Sequence, residues 1–199
     1  EPSWIVVQEP VEMWQKVGGK HNLLEAFYGN LERYAFSFQT FCVLSRIESV
    51  VKTLRDCPDT TPVVVLERSW MSDRHTFAEM LREQGRISEM EWALYDHWYQ
   101  FCVRSSPQVE GHLYLECSTE TCMQRLRKRN RMEESSVTPE YQAALIEQHE
   151  KWLNTCDPGR VCRVNVDDCF LSKQKNSDQL MGMISNFVSE LKDARPTVQ

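Results

Sequence analysis

The chain has 199 residues, 41% of them hydrophobic and 26% charged; this fits one domain and excludes an intrinsically disordered chain. Its 23 Lys and Arg against 29 Asp and Glu leave a net charge of −6, which argues against nucleic acid as a general partner but leaves room for one local phosphate site. No apolar run approaches the roughly 20 residues a membrane helix needs, so no membrane partner is expected.

In chain order, the first buried strand is expected at Trp4–Gln8 (WIVVQ), running into Glu9 and Pro10. An acid at a strand tip serves either as a general base or as a turn cap. The second strand, Val63–Glu67 (VVVLE), runs into Arg68 and Ser69. Adjacent side chains on an extended segment face opposite ways, so Glu67 and Arg68 either serve different partners or close the sheet end as a salt bridge. Gly85 ends a helix. Ser88-x-x-Glu91 is a capping box for the helix that follows. His112–Cys117 is the third strand, and the helix after it carries Arg125, Arg127, Lys128, Arg129 and Arg131. Guanidinium forks suit phosphate oxygens, whereas Glu133 and Glu134 close by also permit a salt-bridged solvated helix. Thr138-Pro139 starts the next helix, and Val161–Val166 is the fourth strand. The last helix sets Leu180, Met183, Ile184, Phe187, Val188 and Leu191 on one stripe.

Strands alternating with helices imply an α/β fold with a parallel sheet covered on both faces, in which ligands gather at the carboxyl ends of the strands. A phosphate-binding glycine loop, G-x-x-x-x-G-K-[ST], is not found in these residues. Gly18-Gly19-Lys20-His21 is a decoy, because Trp14 and His21 stand where that loop needs glycine and Ser or Thr. The eight cysteines form no C-x-x-C pair and read as reduced, buried thiols of an intracellular protein. An intracellular location is expected, the cytoplasm being favoured.

Taken together, EPVEMW (Glu9–Trp14), NLLEAFY (Asn22–Tyr28), FSFQTFCVLSR (Phe36–Arg46), ERSWMSDR (Glu67–Arg74), ETCMQRLRKRNRMEE (Glu120–Glu134) and HEKWL (His149–Leu153) resemble the deoxyribonucleoside kinases of the deoxycytidine/deoxyguanosine kinase type. The resemblance covers almost the whole chain. It implies a P-loop-kinase-like three-layer fold: a parallel five-stranded sheet with surrounding helices and an arginine-rich lid at about residues 125–134. The first strand, phosphate loop and first helix of that family are absent from this sequence. The expectation is a fragment of a longer kinase, a single domain over 1–199 that turns over little by itself; the rival is a non-catalytic nucleoside-binding or dimerisation partner derived from such a kinase.

By the same resemblance Glu9 is the general base for the 5′-hydroxyl, and Arg68 orients it and the reacting phosphate. Glu67 holds Mg²⁺. Trp14, Leu24, Phe27, Phe38, Gln39, Arg46 and Asp73 form the base site, flat apolar groups sandwiching the base while the Gln39 amide reads its edge. Tyr28 and Glu134 bind the 3′-hydroxyl. Arg125, Arg129 and Arg131 grip the phosphates of ATP or another nucleoside triphosphate, and Phe170 lies by the donor base. Arg46 with Asp73 resembles the deoxycytidine and purine branch, although the short Trp14–Asn22 segment resembles broader-specificity members. The partners implied are a deoxynucleoside, a nucleoside triphosphate and a second copy of the chain packed through long helices (Phe36–Leu54, Glu91–Val103).

Overall fold

The computed structural model describes residues 4–58, 62–168 and 174–194, with the side chains of the last helix from residue 177. All four expected strands form, each one residue shorter at its C-terminal end: β1 (Trp4–Val7), β2 (Val63–Leu66), β3 (His112–Glu116) and β4 (Val161–Asn165). β1 pairs in parallel with β2, Trp4 opposite Val63 through Val7 opposite Leu66. β3 pairs in parallel with β4, His112 opposite Val161 through Glu116 opposite Asn165. The described residues thus hold two two-stranded parallel sheets with no ladder from β2 to β3. Parallel pairs need helical crossovers, and the helices supply most of the mass.

The first of these, α1 (Val11–Gln15), follows β1, and α2 (Leu23–Gly29) is capped by the Asn22 side chain, which accepts the Glu25 N–H at 3.0 Å. Between them Gly18 and Gly19 take positive φ in a turn closed by paired Val17–His21 backbone bonds. A turn, not a phosphate, accounts for these glycines. α3 (Leu31–Asp56) is the central element. It buries Ala35, Phe38, Gln39, Cys42, Val43, Ser45, Arg46 and Val50, a helical stripe that contains three polar side chains.

After β2, Ser69 starts the short α4 (Trp70–Ser72) through a reciprocal capping box with Ser72. A π-helical turn, Asp73–Ala78, follows and leads into α5 (Glu79–Glu83). Such turns cluster at functional sites; this one packs Thr76, Phe77 and Ala78 into the core. Gly85, at φ 69°, follows the end of α5. The Ser88–Glu91 capping box opens α6 (Glu89–Arg104), as its spacing predicts. α6 buries Trp92, Tyr95 and Tyr99 against α3 and leaves Met90, Leu94, Trp98 and Phe101 on an exposed face. Next come α7 (Thr119–Arg129) and α8 (Pro139–Leu153), the latter capped by Thr138. α9 (Gln174–Asp193) lies against β4, and its half-buried positions include Leu180, Ile184, Phe187, Val188 and Leu191, most of the stripe expected from spacing.

The core is one cluster running from Trp14 and Phe27 through α3, the π-turn and α6 to Leu145 of α8. The seven described cysteines are all free thiols.

Candidate active site

The β1–β2 ladder brings Glu9 and Glu67 together. Its last rung, the Glu67 N–H to the Val7 carbonyl at 2.9 Å, fixes both strand tips, and the Glu9 N–H donates to Glu67 Oε2 at 3.2 Å. Beyond Leu66 the chain is not extended. Arg68 sits at φ 62°, left-handed backbone that a non-glycine residue holds at roughly 1–3 kcal/mol. The alternation expected of residues 67 and 68 therefore does not apply. Instead the Arg68 guanidinium lies 3.1 Å from Glu9 Oε1 and covers the face of Phe77 at 4.7 Å.

From the other side, α3 delivers Arg46. Its Nε donates to Asp73 Oδ2 at 2.6 Å, one terminal nitrogen to the Glu67 carbonyl at 2.8 Å, and the other to Glu9 Oε1 at 2.5 Å. Arg46 and Asp73 are almost fully buried, and a charge so placed is tolerated only when paired and hydrogen-bonded. Burial pushes the Glu9 carboxyl up, but Arg68 and Arg46 together outweigh it and hold Glu9 below the usual 4.5. Burial pushes Asp73 up, with Arg46 opposing. Glu9 is thus a carboxylate at neutral pH, fixed by two guanidinium groups.

Next to this charge cluster stand the expected aromatic residues. The Trp14 indole N–H donates to Ser45 Oγ at 2.9 Å, and its ring meets the edge of Phe38 at 5.4 Å. Phe27 and Phe38 stack at 4.4 Å with 18° between planes. A ring inserted between them would need about 7 Å, twice an ordinary contact, so the expected sandwich cannot use both faces of this pair. Phe27 and Leu24 are buried in the same core cluster as Phe38. Gln39, next after Phe38 in α3, is 1% exposed, and among the described residues its Oε1 finds no hydrogen-bond partner. An orphaned buried acceptor costs about 1–3 kcal/mol, an expense a bound donor would remove.

Tyr28, on α2, packs its ring against Phe27 and edge-on toward Tyr141. Burial, assisted by the negative charge of Glu134, pushes its phenol up to about 12, so it remains an O–H donor at physiological pH. Glu134 lies 6% exposed in a 3₁₀ turn, Met132–Glu134. Arg131 donates to it at 2.9 Å, and Arg129 donates to its other oxygen. The structure separates the expected arginine trio here. Arg125 donates to the Val166 carbonyl and lies 3.5 Å from Cys117 Sγ, tying α7 to the end of β4, whereas Arg129 and Arg131 converge on Glu134. Arg127 and Lys128 are exposed. Phe170 and Cys169 lie outside the described residues.

Sequence reasoning missed Glu133, whose Oε1 accepts from the side-chain amides of Gln15 at 2.7 Å and Asn22 at 3.1 Å. It also missed Tyr141, whose hydroxyl is buried without a hydrogen-bond partner among the described residues. Neither stands out in a single sequence: Glu133 gains its meaning from residues more than a hundred positions away.

The geometry defines a buried acid held by arginines at the ends of parallel strands. The deoxynucleoside kinase family profile matches residues 1–189, and the chain belongs to that family. Among similar proteins, deoxycytidine kinase 2 of Gallus gallus is 36% identical over 76% of this chain and 64% of its own length. Human deoxycytidine kinase is likewise 36% identical over 76% of this chain and 65% of its own length. The mitochondrial deoxyguanosine kinase of Xenopus laevis is 30% identical over 95% of this chain and 81% of its own length. The chain therefore spans somewhat less than two thirds of the length of these two deoxycytidine kinases. No helix among the described residues is long and apolar enough to cross a membrane.

Proposed function

We propose that the protein containing this chain is a deoxyribonucleoside 5′-kinase of nucleotide salvage that favours deoxycytidine and purine deoxynucleosides. The observation that carries the reading is the Glu9 carboxylate held jointly by Arg46 and Arg68; the buried Gln39 oxygen, without a partner among the described residues, supports it. Glu9 accepts the proton of the 5′-hydroxyl as the oxygen attacks phosphorus. Its depressed pKa makes it a weak base, which suits a loose transition state in which the alcohol loses its proton late. Arg68 steadies Glu9 and neutralises charge developing on the transferred group. Gln39 Oε1 accepts from an exocyclic amine of the base, a donor that cytosine and adenine carry and thymine lacks. Tyr28 and Glu134 hold the 3′-hydroxyl.

Glu67 suits Mg²⁺: one carboxylate oxygen accepts from the Glu9 amide, the other accepts no hydrogen bond among the described residues, and Mg²⁺ is commonly held by one or two carboxylates together with waters and phosphates. Among the described residues no group of three or more ligating side chains competes for the role. When bound, Mg²⁺ and the nucleoside triphosphate supply the phosphoryl group and neutralise its charge; Arg129 and Arg131 are the cations within reach of the lid to meet it. The exposed α6 face of Met90, Leu94, Trp98 and Phe101 supports a homodimer, since a two-fold axis would cover it with its own copy.

The test is a panel of the deoxynucleosides with ATP and Mg²⁺ on the full-length protein, following product by phosphorus NMR. 5′-Monophosphates of deoxycytidine and the purine deoxynucleosides are expected. Absence of any product, or phosphorylation at the 3′ position, would refute the assignment.

A further inference from the structure

Two adjacent acids of the 3₁₀ turn after α7 face different surroundings. Glu134 is turned inward onto Arg129 and Arg131. Glu133 reaches across to the opposite wall, where two amide N–H groups from separate segments converge on a single oxygen, Gln15 Nε2 at 2.7 Å and Asn22 Nδ2 at 3.1 Å. Gln15 is the last residue of α1, directly after Trp14. Asn22 is the cap of α2, the helix that carries Leu24, Phe27 and Tyr28. The Asn22 side chain is used at both ends: Oδ1 holds the Glu25 amide, which fixes the rotamer that aims Nδ2 at Glu133. Only an acceptor satisfies both donors, and a carboxylate does so most strongly.

We propose that Glu133 is a positioning residue that fastens the end of the arginine-bearing lid to the nucleoside-side helices and so holds Glu134 at the sugar. This rests on the kinase reading above, in which Glu134 meets the 3′-hydroxyl. One residue thereby ties the turn that carries Glu134 to the end of α1 through Gln15 and to the start of α2 through Asn22. A fastening of this kind acts on how well the sugar is held more than on the chemical step.

The experiment uses the full-length protein with Glu133→Ala, Glu133→Gln and Asn22→Ser. Serine keeps a good helix cap but removes the donor to Glu133. Steady-state kinetics compare a deoxynucleoside with its 3′-deoxy analogue, which has no hydroxyl for Glu134. Glu133→Ala is expected to raise KM for the deoxynucleoside about ten-fold, the scale of one lost positioning bond, with kcat within about two-fold and with KM for the 3′-deoxy analogue unchanged. Glu133→Gln, which keeps an acceptor oxygen, restores most of the affinity, and Asn22→Ser shows a smaller version of the alanine effect. Equal losses on both substrates, or no loss on either, overturn the proposal. Hydrogen exchange of residues 125–137 in the unliganded protein reads the fastening without any substrate: faster exchange in Glu133→Ala is expected, and unchanged exchange overturns it. A wild-type protein that phosphorylates no nucleoside while Glu133→Ala still loosens this segment would refute the kinase reading and its sugar-holding consequence, leaving the fastening itself supported.

Discussion

Replacing Arg46 by methionine tests the buried charge cluster directly. Arg46 keeps 5% of its side-chain surface in contact with solvent, Asp73 4% and Glu9 11%. Deleting the guanidinium strands the Asp73 carboxylate and weakens Glu9, which retains only the half-exposed Arg68. Breaking a buried pair by removing one partner costs about 3–5 kcal/mol, about a fifth or more of the stability of an ordinary domain. The double variant Arg46→Met with Asp73→Ala removes the stranded charge as well, so it is expected to recover about 2–3 kcal/mol of that loss. Urea denaturation of wild type, both single variants and the double variant measures the cycle. The pH dependence has a sign. In Arg46→Met the folded-state pKa of Asp73, pushed up by burial, stands above the unfolded value. The folded state then binds the proton more tightly, the variant is most stable below the unfolded pKa, and stability is lost as pH rises through the folded pKa. A double variant no more stable than Arg46→Met, or a single variant within about 0.5 kcal/mol of wild type, would refute the assignment of Arg46 and Asp73 as an obligate buried pair. The same double variant is expected to raise relative kcat/KM for thymidine, since it removes the polar pair from the base wall.

Other perturbations separate the roles further. Glu9→Gln in the full-length protein should lower kcat by about a hundred-fold or more, the usual contribution of a general base; unchanged turnover would exclude Glu9 as the base. Burial raises the Glu9 pKa while Arg68 and then Arg46 bring it below 4.5, and the base works only when deprotonated. Arg68→Met should therefore move the acid limb of the kcat/KM profile to higher pH; an unmoved limb would mean that the limb reports another group. Trp98→Glu on the exposed face of α6 should convert a dimer to monomer in sedimentation velocity, and a wild-type monomer would remove that interface from consideration.

Much of this protein was legible in the chain itself. Four β-branched runs gave four strands because period-2 and continuous apolar patterns are local. The Ser88–Glu91 box and Thr138-Pro139 marked helix starts because capping is settled within four residues. Residues expected at the site do converge: Glu9, Arg46, Glu67, Arg68 and Asp73 occupy one cluster. Only tertiary structure decided the rest. Whether Phe27 and Phe38 enclose a base or stack on each other depends on how α2 meets α3. Whether an arginine of α7 faces phosphate or a backbone carbonyl depends on where β4 ends, as Arg125 on Val166 illustrates. The left-handed turn at Arg68 reverses the alternation its neighbours suggest, and the hold of Gln15 and Asn22 on Glu133 joins segments more than a hundred residues apart. Local pattern fixes what a residue can do within a helical turn or a strand. Partners brought together by packing decide what it does, because charge and hydrogen bonding act over a few ångströms of space and take no account of distance along the chain.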